Sequence, residues 1–230
     1  MARLTVLVDL GNTLIHGPKI VEVFKDLVLR SELNLTSDLS SSAKLLQTFK
    51  EIYDKLKILK KKMLLEVSLR SMLRMTLRDT SINEGLVEKL RDLLVDRYVR
   101  TREVYGDAHT FLRGLKKAGS TIIVVSNTPD HQIALESLES LGLMRYVDDV
   151  VTSAQLGLRK PHPLVYLRAL ERACASTAIF VGDHVENDVV GPLRVGLYAI
   201  HVFRRGIRLK RSVNSLLKAL EIILMRGACE

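Results

Sequence analysis

Five short apolar runs, rich in β-branched residues, constrain the fold of this chain more than any other feature. They occupy residues 4–9, 121–126, 149–152, 177–182 and 198–202. Their apolar residues are nearly continuous instead of alternating, which is typical of parallel strands covered on both faces. Helical patterns at 108–117, 130–141, 163–174 and 187–195 alternate with the later runs, and a last one covers 212–226. This order predicts right-handed strand–helix–strand units and an α/β fold with a parallel sheet of about five strands.

The segment between the first two runs follows a different pattern. Residues 16–104 contain no convincing strand and consist of leucine-rich, charged helical patterns. An apolar stripe occupies 21–28, a long helical stretch covers 42–78 after a break at 36–42, and residues 81–84 resemble a capping box that opens another helix. We therefore expect two domains: a catalytic core formed by residues 1–15 and 105–230, and an all-helical cap inserted after strand one, formed by residues 16–104.

Cysteine content and hydropathy restrict the location of the protein. The two cysteines, Cys174 and Cys229, form no ligand motif, which fits a reducing compartment. No apolar run reaches the roughly 18 residues of a transmembrane helix, and the first segment has charges but no cleavage site of small residues. We expect a cytoplasmic protein that does not bind membranes and is a monomer or a homodimer.

The net charge of +9 favours acidic partners. Basic clusters lie at 60–62 and 204–211, although such clusters are most often solvated faces. Only 5% of the residues are aromatic and none is Trp, so the stacking of nucleic-acid bases has little support. The expected partner is a small anionic, phosphorylated substrate, with nucleic acid as a less favoured alternative.

Polar residues end several of the predicted strands, and ligands of open parallel sheets bind beyond those carboxyl ends. These residues are Asp9, Ser126-Asn127-Thr128, Lys160 after the third run, and Gly182-Asp183 with Asp188. Paired carboxylates hold Mg²⁺, a lysine and a hydroxyl bind phosphate oxygens, and a free carboxylate can attack phosphorus. Each residue alone has an ordinary role as a turn or cap residue, but their order favours a phosphate-handling site. A phosphoacceptor receiver domain uses a similar Asp and Lys but is shorter and lacks the helical insert.

These residues resemble the four motifs of the haloacid dehalogenase (HAD) superfamily across nearly the whole chain. Residues 9–14, Asp-Leu-Gly-Asn-Thr-Leu, match its first motif, Asp-x-Asp-x-Thr-Leu. Ser126, Lys160-Pro161 and residues 182–189 match the second, third and fourth motifs. The helical insert resembles the C1-type cap of that superfamily. The resemblance implies a Rossmann-like core and a Mg²⁺-dependent hydrolase, most often a phosphatase that forms an aspartyl-phosphate.

The resemblance also implies a role for each motif residue. The implied catalytic residues are the nucleophile Asp9 with Ser126 and Lys160, which would bind the phosphoryl oxygens. The implied metal site comprises Asp9, the backbone carbonyl of Gly11, Asp183 and Asp188, the last of which would orient a metal-bound water or Lys160. Asn127 and Thr128 would add hydrogen-bond donors for the substrate.

Gly11 departs from the first motif, because phosphatases of the superfamily have there an Asp that protonates the leaving group. General acid–base help is worth about 10²–10⁴-fold, so leaving groups that need no proton are favoured. His16 and His184 are candidate replacements for the proton donor. The alternatives are a 2-haloacid dehalogenase-type hydrolase, whose branch also lacks the second Asp, a phosphonate hydrolase, and a low-activity binding or regulatory module with a basic surface.

Overall fold

The structure, a computed structural model, describes residues 4–30, 39–78 and 84–227. The strands of these residues are β1 (Thr5–Val8), β2 (Ile15–His16), β3 (Glu103–Val104), β4 (Thr121–Ser126), β5 (Asp149–Thr152), β6 (Ile179–Gly182) and β7 (Tyr198–His201). The helices are α1 (Ile20–Leu29), α2 (Leu39–Met63), α3 (Leu69–Leu77), α4 (Glu84–Arg100), α5 (Ala108–Lys117), α6 (His131–Ser140), α7 (Ser153–Leu156), α8 (Pro163–Arg172), α9 (Gly191–Arg194) and α10 (Leu216–Gly227). A 3₁₀ turn, Met144–Tyr146, and a π-helical turn, Val185–Val190, complete the described elements.

Five strands form a parallel sheet in the order β5-β4-β1-β6-β7. The predicted fold class is confirmed, and the five predicted strands lie within a residue or two of their expected bounds. Val8 is in register with Val124 of β4 and with Val181 of β6. The polar residues that follow these three neighbouring strands therefore lie along one edge of the sheet, at the point where the strand order reverses.

Helices on both faces of the sheet explain the nearly continuous apolar pattern of β1. Val6 and Val8 pack with Phe111 of α5 on one face. Leu7 points to the other face and packs with Tyr166 of α8. All three β1 residues are fully buried, as parallel strands between two helical layers require.

The cap helices α1, α2, α3 and α4 bury a separate apolar cluster. Phe24 of α1 and Phe49 of α2 stack at its centre, with 3.9 Å between their ring centroids. Ile133 of α6 joins the cluster, so this core helix supports the cap. The helical insert after strand one is thus present, while its division from the core at 16 and 104 stays a prediction.

Three features of the insert differ from the pattern expected from the sequence. β2 and β3 pair as a short antiparallel ribbon where the chain enters and leaves the cap; two residues are too few for a periodicity to show. The predicted stretch 42–78 is two helices, because Leu64 adopts a left-handed conformation (φ 55°) after α2. The predicted capping box at 81–84 lies largely outside the described residues. Of the predicted break at 36–42, residues 36–38 also lie outside them, but residues 39–42 belong to α2, so this helix begins earlier than expected.

One member of the basic cluster 204–211 does not face solvent. Arg204 donates a hydrogen bond from Nη2 to Asp107 Oδ1 at 2.6 Å, and its guanidinium lies over the ring of Tyr105. The other oxygen of Asp107 accepts a hydrogen bond from the backbone N–H of Leu216. Arg204 therefore anchors the start of α10 to the core. Among the described residues, no helix combines the length and the apolar character that a membrane crossing requires.

Candidate active site

Asp9 lies directly after β1 at the carboxyl edge of the sheet and is nearly buried. Its backbone N–H donates to the carbonyl of Val181 at 2.9 Å, which continues the pairing of β1 with β6. One carboxylate oxygen accepts a hydrogen bond from Lys160 Nζ at 2.7 Å, and the other accepts one from Thr13 Oγ1 at 2.9 Å. Both oxygens are therefore oriented by the protein.

Lys160 is buried at the centre of the site. Its Nζ donates to Asp9 Oδ1, to Asp188 Oδ1 at 2.8 Å, and to the carbonyl of Val125 at 2.8 Å. An ammonium group has three protons, so these bonds use its full donor capacity. Burial alone would lower the pKa of Lys160, but the charges of Asp188 and Asp9 outweigh it and raise that pKa. Lys160 is therefore held protonated between the two carboxylates.

Asp9, Asp183 and Asp188 bring one carboxylate oxygen each to within 4.8 Å of one another. Asp188 is held in place because its second oxygen accepts a hydrogen bond from the backbone N–H of His184 at 2.9 Å. A Cβ at Gly182 would lie 2.5 Å from the Asp188 carboxyl, so glycine is required for this close approach. Oxygen ligands at this spacing fit Mg²⁺.

The cluster carries more negative charge than Lys160 alone can balance. Burial, together with the charges of Asp188 and Asp183, raises the pKa of Asp9 to about 7 against the opposing effect of Lys160. Burial and the charge of Asp188 also raise the pKa of Asp183. A divalent cation between the three carboxylates would remove this repulsion, so the donor set fits the expected metal.

The segment after β4 supplies the second group of expected residues. Ser126 ends the strand and lines the cleft over the site. The amide of Asn127 exchanges two hydrogen bonds with the backbone of Lys160, donating to its carbonyl at 3.0 Å and accepting from its N–H at 2.9 Å. Thr128 Oγ1 donates to the carbonyl of Asp130. The side chains of Asn127 and Thr128 thus hold the loops in place, and their contact with substrate stays a prediction.

The two candidate proton donors occupy different places. His16 lies in the β2–β3 ribbon, where its ring packs on Tyr105 and its Nε2 is 3.8 Å from Glu103. His184 lines the cleft, and its Nδ1 accepts the backbone N–H of Asn187 at 3.2 Å. A neutral His184 therefore carries its proton on Nε2. Of the two histidines, only His184 is among the described residues that line the cleft.

Position 11 has space for a side chain. A Cβ at Gly11 would meet no atom within 4 Å, and the backbone there does not have the positive φ that favours glycine. Gly11 also lines the cleft. Neither crowding nor backbone conformation thus explains why a glycine occupies the position of the second Asp.

Two residues with clear roles at the site were missed from the sequence. His201, at the end of β7, is buried and contacts the carbonyl of Asp183 through Nε2 at 2.9 Å. Glu66, between α2 and α3, accepts hydrogen bonds from Ser153 Oγ at 2.6 Å and from Arg159, and pairs with Lys60 Nζ at 2.7 Å. Neither residue belongs to a motif, so only their burial in the folded chain reveals them.

Glu66 belongs to a loop that docks the cap on the core next to Lys160. The backbone N–H of Glu66 donates to the carbonyl of Gly157 at 2.8 Å, and the N–H of Arg159 donates to the carbonyl of Leu64 at 2.8 Å. On the opposite side, Arg91 of α4 forms a two-point ion pair with Asp130, at 2.6 and 2.8 Å. Two separate sets of contacts therefore dock the cap on the core.

A cleft of about 970 Å³ lies between the cap and the sheet edge. Its floor includes Ser126 and Lys160, and its walls come from α2, the β2–β3 ribbon and the loops after β4 and β6. The volume is at the upper end of the range for small-molecule sites, about 300–1,000 Å³. The cleft can therefore enclose a ligand considerably larger than a phosphate group.

Comparisons with known proteins agree with the geometry. The sequence profile of a family described as haloacid dehalogenase-like hydrolase matches residues 4–196. A ribulose-1,5-bisphosphate 5-phosphatase of Halopiger xanaduensis is 35% identical over 113 residues, which are 48% of this chain and 47% of that protein. The chain spans about half the length, or less, of the curated relatives it matches first.

Solved structures share the fold over nearly the whole chain. A 2-haloacid dehalogenase of Pseudomonas syringae superposes with a TM-score of 0.72 at 23% identity, covering 98% of this chain and 100% of the other. A HAD phosphatase of Thermococcus onnurineus superposes with a TM-score of 0.63 at 22% identity, covering 96% and 97%. At this identity the superpositions establish the fold and do not distinguish phosphatase from dehalogenase.

Proposed function

We propose, since the chain belongs to the haloacid dehalogenase-like hydrolases, that it is a Mg²⁺-dependent phosphatase of a small phosphate monoester. The observation that carries this proposal is the cluster of Asp9, Asp183 and Asp188, of which Asp9 and Asp188 also pair with the buried ammonium of Lys160. Displacement of a halide from carbon needs no divalent cation, whereas phosphoryl oxygens need positive charge around them. A site that gathers three carboxylates therefore favours phosphate chemistry.

The reaction begins with attack by Asp9. A carboxylate oxygen of Asp9 forms a bond to phosphorus while the bond from phosphorus to the ester oxygen breaks, and the leaving alcohol takes the electron pair. Water then attacks the phosphorus of the aspartyl-phosphate, which releases inorganic phosphate and restores the carboxylate. Mg²⁺, when bound by Asp9, Asp183 and the carbonyl of Gly11, supplies positive charge next to the phosphoryl group.

The surrounding residues prepare Asp9 for this attack. Lys160 and Thr13 hold one carboxylate oxygen each, so the carboxylate does not rotate away from the substrate. Ser126 offers a hydroxyl to the phosphoryl oxygens from the adjacent strand. Asp188 orients Lys160, because its carboxylate accepts a hydrogen bond from the Lys160 ammonium at 2.8 Å.

Gly11 restricts the choice of substrate. The leaving oxygen receives no proton from position 11, so an ester with a stable leaving group reacts more readily than an alkyl phosphate. Acyl, aryl and sugar 1-phosphates meet this requirement. The relative from H. xanaduensis, by its name a phosphatase of a phosphorylated sugar, supports a metabolite of similar size.

Replacement of the nucleophile tests the proposal. Asp9→Asn keeps the shape of the side chain but removes the attacking charge, so release of phosphate from p-nitrophenyl phosphate with Mg²⁺ is expected to fall at least about 10³-fold. Asp96→Asn, an exposed carboxamide substitution on α4, is the matched control and is expected to keep full activity. A chelator is expected to abolish the wild-type rate.

Other outcomes would identify the competing functions. If the protein releases chloride from 2-chloropropionate and a chelator does not stop this reaction, the protein is a dehalogenase and the phosphatase proposal is wrong. Absence of turnover across aryl, acyl and sugar phosphates would leave a binding module and contradict the proposal.

A further inference from the structure

The walls of the cleft are strongly cationic. The described residues that line it include nine lysines and arginines but a single carboxylate, Glu186. Four of the nine cations have carboxylate partners: Lys160 with Asp9 and Asp188, Lys60 and Arg159 with Glu66, and Arg194 with Glu186. The other five are Lys19, Lys57, Lys61, Lys62 and Arg102, and none of them pairs with a carboxylate of the described residues.

Part of this charge lies on one face of α2. Tyr53, Lys57 and Lys61 follow one another at intervals of four residues and all line the cleft. Residues at this spacing are neighbours on a helix, and like charges there repel each other. The helix dipole stabilises cations in the last turn of α2, such as Lys61, but Lys57 lies a turn further from the helix end. The repulsion on this face is relieved when an anion binds.

Arg102 faces the same cleft from the exit of the cap. Its guanidinium donates to the carbonyls of Pro18 at 2.6 Å and Tyr98 at 3.2 Å and stacks over the Tyr98 ring. Burial lowers the pKa of Arg102, since its nearest partners are neutral oxygens instead of carboxylates. The residue is thus a fixed, half-buried cation that forms no ion pair with a carboxylate of the described residues, although the charge of Glu22 acts on it from a longer distance.

A substrate with one phosphate group would leave these cations of the cap without a bound anion. In the proposed phosphatase, the phosphoryl group at Asp9 contacts Ser126 and the metal, next to the charge of Lys160. The cations of α2 and Arg102 belong to the same cleft but come from the cap, on its opposite side. A ligand with one anionic end on the floor and a second anionic group at the cap would satisfy both sets of charges.

We propose that the substrate carries a second phosphate group, and that Lys57 and Lys61 of α2, with Arg102, bind it while the first phosphate lies at Asp9. This inference rests on the proposed phosphatase activity, and it extends that activity from phosphate monoesters in general to bisphosphates. A bisphosphorylated sugar and a nucleoside bisphosphate present the same two anionic ends, so both are tested.

Matched substrate pairs provide the test in the full-length chain. The pairs are glucose 1,6-bisphosphate with glucose 1-phosphate and glucose 6-phosphate, and adenosine 3′,5′-bisphosphate with adenosine 5′-monophosphate. The phosphate at C1 of glucose is a sugar 1-phosphate, whose leaving group needs less help from a proton donor. At low salt, kcat/KM is expected to be about tenfold higher for the bisphosphate of at least one pair, and the pair that shows it identifies the carbon skeleton. Equal kcat/KM within both pairs would overturn the inference while the phosphatase proposal stands.

Two double variants test whether the lysines of α2 cause the preference for bisphosphates. In Lys57→Ala/Lys61→Ala, the ratio of bisphosphate to monophosphate kcat/KM is expected to fall about fivefold or more, mainly through KM. Lys44→Ala/Lys55→Ala removes the same charge from exposed positions of α2 that do not line the cleft, and is expected to leave the ratio unchanged. Equal ratios in the two double variants would contradict the role of Lys57 and Lys61.

Isothermal titration calorimetry tests the second anion site even if the proposed phosphatase activity is not found, because it measures binding without hydrolysis. If no ester is hydrolysed, the phosphatase proposal fails, but the affinities for glucose 1,6-bisphosphate and glucose 1-phosphate can still be compared. Tighter binding of the bisphosphate that weakens in Lys57→Ala/Lys61→Ala supports the second anion site. Affinities that are equal, or unaffected by the double substitution, overturn it.

Discussion

At the scale of single residues, the site combines the proposed nucleophile, Asp9, with a glycine at the position of the expected proton donor. Asp9 is oriented through both of its oxygens, by Lys160 and by Thr13. Gly11 contributes no side chain, yet the structure leaves room for one. The proposed restriction on the substrate therefore comes from the absence of a proton donor at position 11 and not from a lack of space. A single substitution can test it.

Gly11→Asp is expected to raise kcat for alkyl phosphates about tenfold or more, because it adds a carboxyl group that can protonate the leaving oxygen. The rate with p-nitrophenyl phosphate is expected to change less, since its leaving group needs no proton. Steady-state kinetics with both esters measures the difference. Gly11→Asn is the matched control, because it fills the same space without transferring a proton. A rate gain of equal size in both variants would show that the effect is steric.

At the scale of elements, the carboxyl ends of β1, β4 and β6 determine where the site is. The sequence predicted these strands and the helices of the core, because their apolar patterns are local. It did not predict the β2–β3 ribbon, whose strands have two residues each. It also missed the loop between α2 and α3, because its pairing partner, Leu158, lies far away along the chain.

Glu66→Gln tests the importance of this loop. The Glu66 side chain is 1% exposed and lies between Lys60 and Arg159, so an amide would leave two cations without a carboxylate. We expect the free energy of unfolding to fall by about 2 kcal/mol, less than for a fully buried pair because both cations are partly exposed. The midpoint of urea unfolding measures the loss.

Glu88→Gln is the matched control for Glu66→Gln. Glu88 pairs with Arg70 on the exposed surface of the cap, where solvent screens the interaction, and its replacement is expected to shift the urea midpoint little. Similar shifts in the two variants would show that the Glu66 network does not stabilise the contact of cap and core.

At the scale of the whole molecule, charge is unevenly distributed. The chain carries a net charge of +9, and lysines and arginines dominate the cleft walls. Next to the cleft floor the charge has the opposite sign, because Asp9, Asp183 and Asp188 lie together there and the buried ammonium of Lys160 pairs with two of them. A cation is thus attracted to the floor and an anion to the walls, which is the arrangement that a metal-dependent enzyme with an anionic substrate requires.

Addition of Mg²⁺ is expected to raise the Tm of the wild-type chain by roughly 5–10 °C at 100 times its Kd, since a ligand at this excess contributes about 2.7 kcal/mol. Asp183→Asn removes one of the three carboxylates and is expected to reduce the shift to near zero. Thermal unfolding followed by circular dichroism measures both. Asp96→Asn, on the exposed surface of α4, is expected to retain the shift. A Mg²⁺ effect of the same size in Asp183→Asn would exclude the cluster as the metal site.

The sequence by itself determined the parallel sheet, the helical insert and the residues that converge at Asp9, because strand patterns are local and parallel strands end at one edge. Tertiary structure alone decided which charges meet. Glu66 and Arg159, 93 residues apart, become partners. Arg204 of the basic cluster is half-buried and pairs with Asp107, and Lys57 of the cap lines the cleft above the site. These contacts depend on how the cap lies on the core, which no local pattern of apolar and charged residues specifies.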